Sequence, residues 1–249
     1  MIHKHPFLEQ FCSLMKLALS GLKSLLKDRP YGGRIWIICF VFTMNIQRFA
    51  ESGGGVINLM FFKIQYKAEM SDLSYLMMFF SLLTIISQLL IIPILSGRLK
   101  IRDTSIIIFA MSTSILGYLI FALSYNLTFL LVGYVAWAFY ANITTTSRSC
   151  LTKLVDPIEV GAVLGIVGIF QSLLSIVSKP FYGFLYKSTV AMFPATYLFV
   201  SITLFTIALL TMIVTHVGLK RRQSKMKKRA EYLQRNVENE PVSDGLLKQ

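Results

Sequence analysis

Three groups of residues in this sequence have the types and spacing to hold a solute. Arg48 and Glu51 stand three apart inside an apolar run, so on a helix they share a face and can pair. Gly53, Gly54 and Gly55 follow at once and weaken a helix at that point. Further on, residues 140–155 read YANITTTSRSCLTKLV, and a long apolar run turns polar there at Asn142, Thr144, Thr145, Thr146, Ser147 and Arg148. Gln88, Gln171 and Lys179 put single polar groups into other apolar runs, and Pro93 and Pro180 mark kink positions. Guanidinium, amide and ammonium groups in an apolar setting bind carboxylates reversibly. The substrate and proton pathway expected on this reading comprises Arg48, Glu51, Gln88, Asn142, Arg148, Gln171 and Lys179, with hinges at Gly53, Gly54, Gly55, Pro93 and Pro180. Plainer roles stand beside these: a structural ion pair for Arg48 and Glu51, glycines that only permit close helix packing, and an Arg148 that merely faces the cytosol.

Bond-making chemistry has no matching constellation. His3, His5 and His216 lie near the ends, and there is no HExxH, no phosphate-binding glycine loop and no zinc spacing. Cys12, Cys39 and Cys150 share no close spacing, so neither a metal site nor a disulfide framework is indicated. The expectation is a protein that is not an enzyme and uses no cofactor.

The elements that must position these residues are membrane helices. Of the 249 residues 55% are hydrophobic, with a mean hydropathy of +0.63, and they fall into blocks of the length that spans hydrocarbon. Six spans are expected, at Arg34–Phe62, Leu73–Gly97, Ser105–Leu123, Phe129–Ser149, Val160–Tyr186 and Val190–His216. The fold class is therefore an all-α membrane protein. The first span is unusual, because a charge at bilayer depth costs roughly 2.5–3.5 kcal/mol on insertion scales. A pair such as Arg48 and Glu51 offsets part of that, and an interrupted helix beyond it would offer free backbone groups to a ligand. Pro93 with Gly97 and Pro180 with Gly183 recur near the ends of the second and fifth spans, a hint of one three-helix unit used twice.

Residues 1–33 form a cytosolic segment whose His5–Lys27 pattern is an amphipathic helix with a basic face, suited to an anionic membrane surface or to packing on another domain. No secretory signal is expected, so the first span would serve for targeting. Residues 34–217 form the six-helix body. Residues 218–249 start strongly basic and are expected to touch anionic lipid, then turn acidic at Glu238, Glu240 and Asp244 and read as disordered. Nucleic-acid binding would need a separate module and is not expected. With six spans both ends share a side. That side carries 20 Lys and Arg residues against 3 on the other, so both termini are expected in the cytosol.

Two stretches carry a resemblance. Arg148–Gly161, RSCLTKLVDPIEVG, resembles the R-x-x-x-x-K-L-V-x-x-x-E-x-G stretch that ends the tenth helix in the proton-coupled folate transporter family, solute carrier family 46. Pro93–Thr104, PILSGRLKIRDT, is similar to that family's eighth-helix end and following turn. The resemblance covers about residues 34–217. It implies a major facilitator architecture, of which these spans would be helices seven to twelve: half of the bundle, built as two three-helix inverted repeats. The amphipathic start would be the cytosolic link between halves, and the first half has no counterpart here. Nor does the family's seventh-helix histidine, since the first span contains none. The family's functional tenth-helix arginine matches Arg148, which would then shape the substrate and proton sites.

What the resemblance implies is the C-terminal half of a secondary-active, proton-coupled transporter of organic anions, folate-like or pterin-like or related, in the plasma membrane or an endolysosomal membrane. An N-terminal half or a homo- or hetero-oligomer would complete it. Two other readings are a non-transporting short isoform that regulates a full-length relative, and a lipid-interacting scaffold.

Overall fold

A computed structural model of the chain describes residues 21, 23, 33–67, 69–91, 93–98 and 101–239. Among them every regular element is helical. In order they are α1 (Gly33–Tyr66), α2 (Met70–Ile86) with π-helical turns at Ser87–Ile91 and Ile94–Arg98, α3 (Asp103–Leu123), α4 (Leu127–Trp137), α5 (Tyr140–Leu154), α6 (Val160–Thr189) and α7 (Thr196–Asn239). Five stretches, Met70–Leu90, Asp103–Leu123, Thr128–Leu154, Val160–Thr189 and Thr196–Met226, are long and apolar enough to cross a membrane. That is the make-up of a multi-pass membrane protein, in which a helix satisfies its own backbone groups where water cannot. α1 is long enough too, at 34 residues or about 51 Å. Its central Asn45, Gln47, Arg48 and Glu51 keep it out of the apolar set.

α1 lies along α6 and α7 and also meets α5; α3 packs on α4, α5 and α7. α2 is peripheral, with only Leu73 and Leu76 buried among its own residues. Without a hydrophobic driving force between helices in lipid, close approach and interhelical hydrogen bonds must hold such a bundle. Gly53 lets α1 pack closely on α6. A Cβ there would sit 2.3 Å from Tyr182 Cδ2 and 2.9 Å from the Ser178 carbonyl oxygen. The core is aromatic: Phe62, Tyr118, Phe121, Tyr134 and Phe205 are buried. Phe121 meets Tyr134 at a centroid distance of 5.0 Å and Phe62 at 5.7 Å, each edge-on. Pairs of this geometry contribute roughly 0.5–1.5 kcal/mol beyond area burial. The phenol tips are used as well: Tyr182 and Ser201 share a 2.9 Å hydrogen bond, and Tyr197 donates to Asn58 Oδ1 at 2.8 Å. At one end, Asp103 pairs with Lys153 and Thr104 Oγ1 lies 2.7 Å from His216 Nδ1, which ties the start of α3 to α5 and α7.

The structure departs from the sequence expectations at several joints. α1 is not interrupted at Gly53–Gly55; it runs unbroken, and Gly53 permits close packing instead. α6 likewise continues through Pro180, although the proline has no N–H to offer the Ile176 carbonyl. The discontinuities lie elsewhere. Helix α2 is followed by π turns at Ser87–Ile91 and Ile94–Arg98, the second starting just after Pro93. The expected fourth span is two helices, parted at Ala138 and Phe139. There Ala138 N–H reaches Val135 O at 3.4 Å and Asn142 N–H reaches Phe139 O at 3.1 Å, both three-residue steps that tighten the turn. The last span starts at Thr196 rather than Val190, since residues 190–195 make a turn around Pro194. The basic tail is helical as far as Asn239, where Glu238 also falls; Glu240 and Asp244 lie outside the described residues. Most of the amphipathic start lies outside them too, but Gly21 is helical and buried, and a Cβ there would meet the Ala162 carbonyl oxygen at 2.3 Å. This part of the segment packs on the start of α6.

Candidate functional site

Midway along α1, Gln47 and Arg48 are neighbours and Glu51 follows one turn later. Opposite them α5 presents Tyr140, Thr144 and Arg148, spaced by four so that they stack along one stripe. α6 adds Gln171 and Ser172. Together these residues line an open groove with two lobes. One lobe, of about 320 Å³, is bounded by Arg48, Glu51, Thr144, Arg148, Gly168, Gln171 and Ser172. The other, of about 280 Å³, runs from Gln47, Arg48, Glu51 and Thr144 to an aromatic wall of Phe80, Trp137 and Tyr140. Arg48, Glu51 and Thr144 belong to both.

The floor is fixed by hydrogen bonds from α1 to α5. Thr144 Oγ1 donates to Gln47 Oε1 at 2.9 Å, and Gln47 Nε2 donates to the Tyr140 carbonyl at 3.3 Å. Gln47 is fully buried, so both halves of its amide are spent on positioning. The Tyr140 hydroxyl faces Glu51 and Gln47 without reaching hydrogen-bond geometry with either. Behind the floor, Asn142 is buried and its Nδ2 donates to Ser87 Oγ at 2.5 Å. This bond joins the first turn of α5 to the first π turn after α2, so the two helix irregularities brace each other.

The charged groups differ in their partners. Arg48 Nη1 pairs with Glu51 Oε2 at 3.2 Å, and the two side chains stay 45% and 39% exposed. Such an open pair stabilises little on its own, by roughly 0–1 kcal/mol in water. Arg148 Nη2 donates to Gln171 Oε1 at 3.1 Å. That partner is neutral, and among the described residues Arg148 pairs with no carboxylate. Gln171 is buried, and burial holds the side-chain amide that orients the guanidinium. The arrangement can hold a carboxylate or sulfonate in two-pronged fashion at Arg148, with a planar or apolar body against the aromatic lobe.

Of the residues expected from sequence, the structure brings together Arg48, Glu51, Arg148 and Gln171, with Asn142 in support. Gln88 and Lys179 are exposed and line neither lobe. Gly54, Gly55, Pro93 and Pro180 do not border the groove either. Gln47, Thr144 and the aromatic wall line the groove but lie outside the pathway set expected from sequence. The spacing of Gln47 and Arg48 beside the polar stripe of α5 was the available signal. Among the described residues no cluster of His, Cys, Asp and Glu could hold a metal ion.

A scan against protein-family models and a search of curated proteins each find no match to this chain.

Proposed function

We propose that this chain is the C-terminal, six-helix half of a secondary-active carrier of organic anions. α1 would join the five apolar stretches as the first of six spans, the bundle would be half of a major facilitator fold with two three-helix inverted repeats, and both ends would face the cytosol. The observation that carries this reading is Arg148: an exposed guanidinium that lines the groove and, among the described residues, pairs with the neutral amide of Gln171. A charge beside apolar membrane helices is retained where it meets solute or water. The aromatic lobe beside it suits folate-like or pterin-like anions, in keeping with the resemblance of Arg148–Gly161 to solute carrier family 46. Glu51 is the carboxylate within the groove that supports proton coupling.

The groove is open on the side of Arg48, Glu51 and Ser172, and exposed polar side chains midway along apolar helices need cover from water or protein. This favours a pairing with a second six-helix unit, either an N-terminal half or a full-length relative that this chain regulates. The test is uptake of labelled organic anions at acidic and neutral pH by membranes carrying this chain, alone and joined to an N-terminal half. Acid-stimulated uptake that Arg148→Ala abolishes is the expected result. No uptake even from the joined halves would end the transport proposal, and co-purification with a full-length relative would then favour the regulatory reading.

A further inference from the structure

Another cavity, of about 290 Å³, opens at the end of the bundle where α3 begins, and its lining shares no residue with either lobe of the groove. Three of the apolar stretches meet there near their ends. Asp103–Leu123 starts on its wall with Asp103 and Thr104, and Thr128–Leu154 finishes on it with Lys153 and Leu154. α7 passes it at His216 and Leu219, then turns basic at Lys220. The ends of spans lie at the level of lipid headgroups, so the side chains of this cavity meet the membrane–water boundary.

The polar groups of its wall are unequally engaged. Asp103 is spent on Lys153, whose ammonium has three N–H donors and keeps others free. Thr104 Oγ1 and His216 Nδ1 share a 2.7 Å hydrogen bond, which fixes the ring between α3 and α7. Arg102 lines the cavity, is exposed, and among the described residues pairs with no carboxylate. A guanidinium with its fork unused, beside an ammonium with spare donors, suits a phosphate. Phe40, Leu154 and Leu219 add an apolar side. Toward the middle of the spans, within two turns of the cavity, Phe109 on α3 and Ile213 and Val214 on α7 are exposed. A phosphate site at the boundary that continues into exposed apolar side chains has the outline of a lipid, not of a free ion. We propose that this cavity binds one anionic phospholipid, its phosphate on Arg102 and Lys153 and its acyl chains along α3 and α7. The basic tail attracts any negative surface, at about 1 kcal/mol per basic residue, and fixes no headgroup. The cavity differs in reading one phosphate at one place, and it does not depend on the anion groove.

Trp36 is a reporter beside the site. A Cβ at Gly218, the neighbour of Leu219, would sit 1.9 Å from Trp36 Cη2, and Phe40 lies one turn along α1 from that tryptophan. The sequence has 2 tryptophans, so Trp137→Phe in the full chain leaves Trp36 as the only one. In phosphatidylcholine nanodiscs its fluorescence is quenched by dibrominated phosphatidylglycerol or by dibrominated phosphatidylcholine, each at the same small mole fraction. The readout is the ratio of the two apparent affinities. Roughly a five- to tenfold preference for the glycerol lipid is expected, the scale of one charge-assisted contact. Arg102→Gln should bring the ratio close to one, whereas a tail variant with Lys225→Gln, Lys227→Gln and Lys228→Gln should keep it. A ratio near one in the starting protein overturns the proposal, and so does a preference that Arg102→Gln keeps or that the tail variant loses. The headgroup alone, sn-glycero-3-phosphoglycerol, should not relieve quenching at the concentration of the brominated lipid. Relief by it would make this a site for a soluble phosphate ester and would overturn the lipid. The same preference, read without Trp137→Phe as lipid retained by the purified chain in mass spectrometry, decides the matter if that replacement harms the fold.

Discussion

The two sides of α1 are built on opposite terms. On the side of its C-terminal half, Phe61 and Phe62 enter an aromatic core with Tyr118, Phe121, Tyr134 and Tyr197, where rings meet edge-on; the Tyr197 phenol there finds a partner in Asn58. On the other side, in the turns before Gly53, Arg48 and Glu51 look into a groove with one polar and one aromatic lobe, where both side chains stay half-exposed. The core holds its helices by shape, which fixes one arrangement. In the groove Arg148 meets a neutral amide and, among the described residues, no carboxylate, which leaves its guanidinium to a solute. Gly53 couples the two, since the close seat of α1 on Tyr182 sets how far Arg48 stands from α5 and α6. Stability is thus expected to reside in the rings and binding in the guanidiniums, and substitutions should separate them.

The largest expected effect is on the core. Phe121→Ala removes a fully buried ring and should lower stability by about 3–5 kcal/mol, read by reversible unfolding in mixed micelles. The affinity of the folded fraction for benzenesulfonate should not change. Arg148→Ala should do the reverse, with a loss of roughly 1.5–3 kcal/mol in anion affinity by calorimetry and an unfolding free energy within about 0.5 kcal/mol of wild type. Loss of stability without loss of affinity in this variant would erase the distinction. Gly53→Ala should report on the coupling: its Cβ is forced against Tyr182 and the Ser178 carbonyl, so stability falls by about 1–3 kcal/mol and anion affinity falls with it. Lys179→Ala should be the mildest. The side chain is exposed and lines neither lobe, so both quantities should stay within about 0.5 kcal/mol of wild type.

The sequence made the helices legible because each is a long apolar block between charged turns. It made the polar stripe of α5 legible because Asn142–Arg148 breaks an apolar run where no turn is needed. The orientation of single polar residues was not legible. A helix that is apolar nearly all round has no contrast between faces, so the pattern cannot say which way Gln88, Gln171 or Lys179 points. Gln171 turns inward to Arg148 across 23 residues and Lys179 turns out, although both look alike in the chain. The Thr144–Gln47 bond spans 97 residues and depends on the tertiary register of α1 on α5. The break at Ala138 and Phe139 has neither glycine nor proline to announce it. At Gly53–Gly55 the reverse happened: three glycines that announce an interruption sit in an unbroken helix, because one of them is needed for contact with Tyr182.

The central claim is that the groove between α1, α5 and α6 is wet and holds anions. Ser172 lines the groove, is exposed and tolerates a near-isosteric change. The direct measurement is the rate at which Ser172→Cys, in a chain whose Cys12, Cys39 and Cys150 are replaced by serine or alanine, reacts with a charged, membrane-impermeant thiol reagent in proteoliposomes. The groove predicts ready modification that benzene-1,3-disulfonate slows and that Arg148→Ala renders insensitive to the disulfonate. A folded Ser172→Cys protein that the reagent does not touch would contradict it.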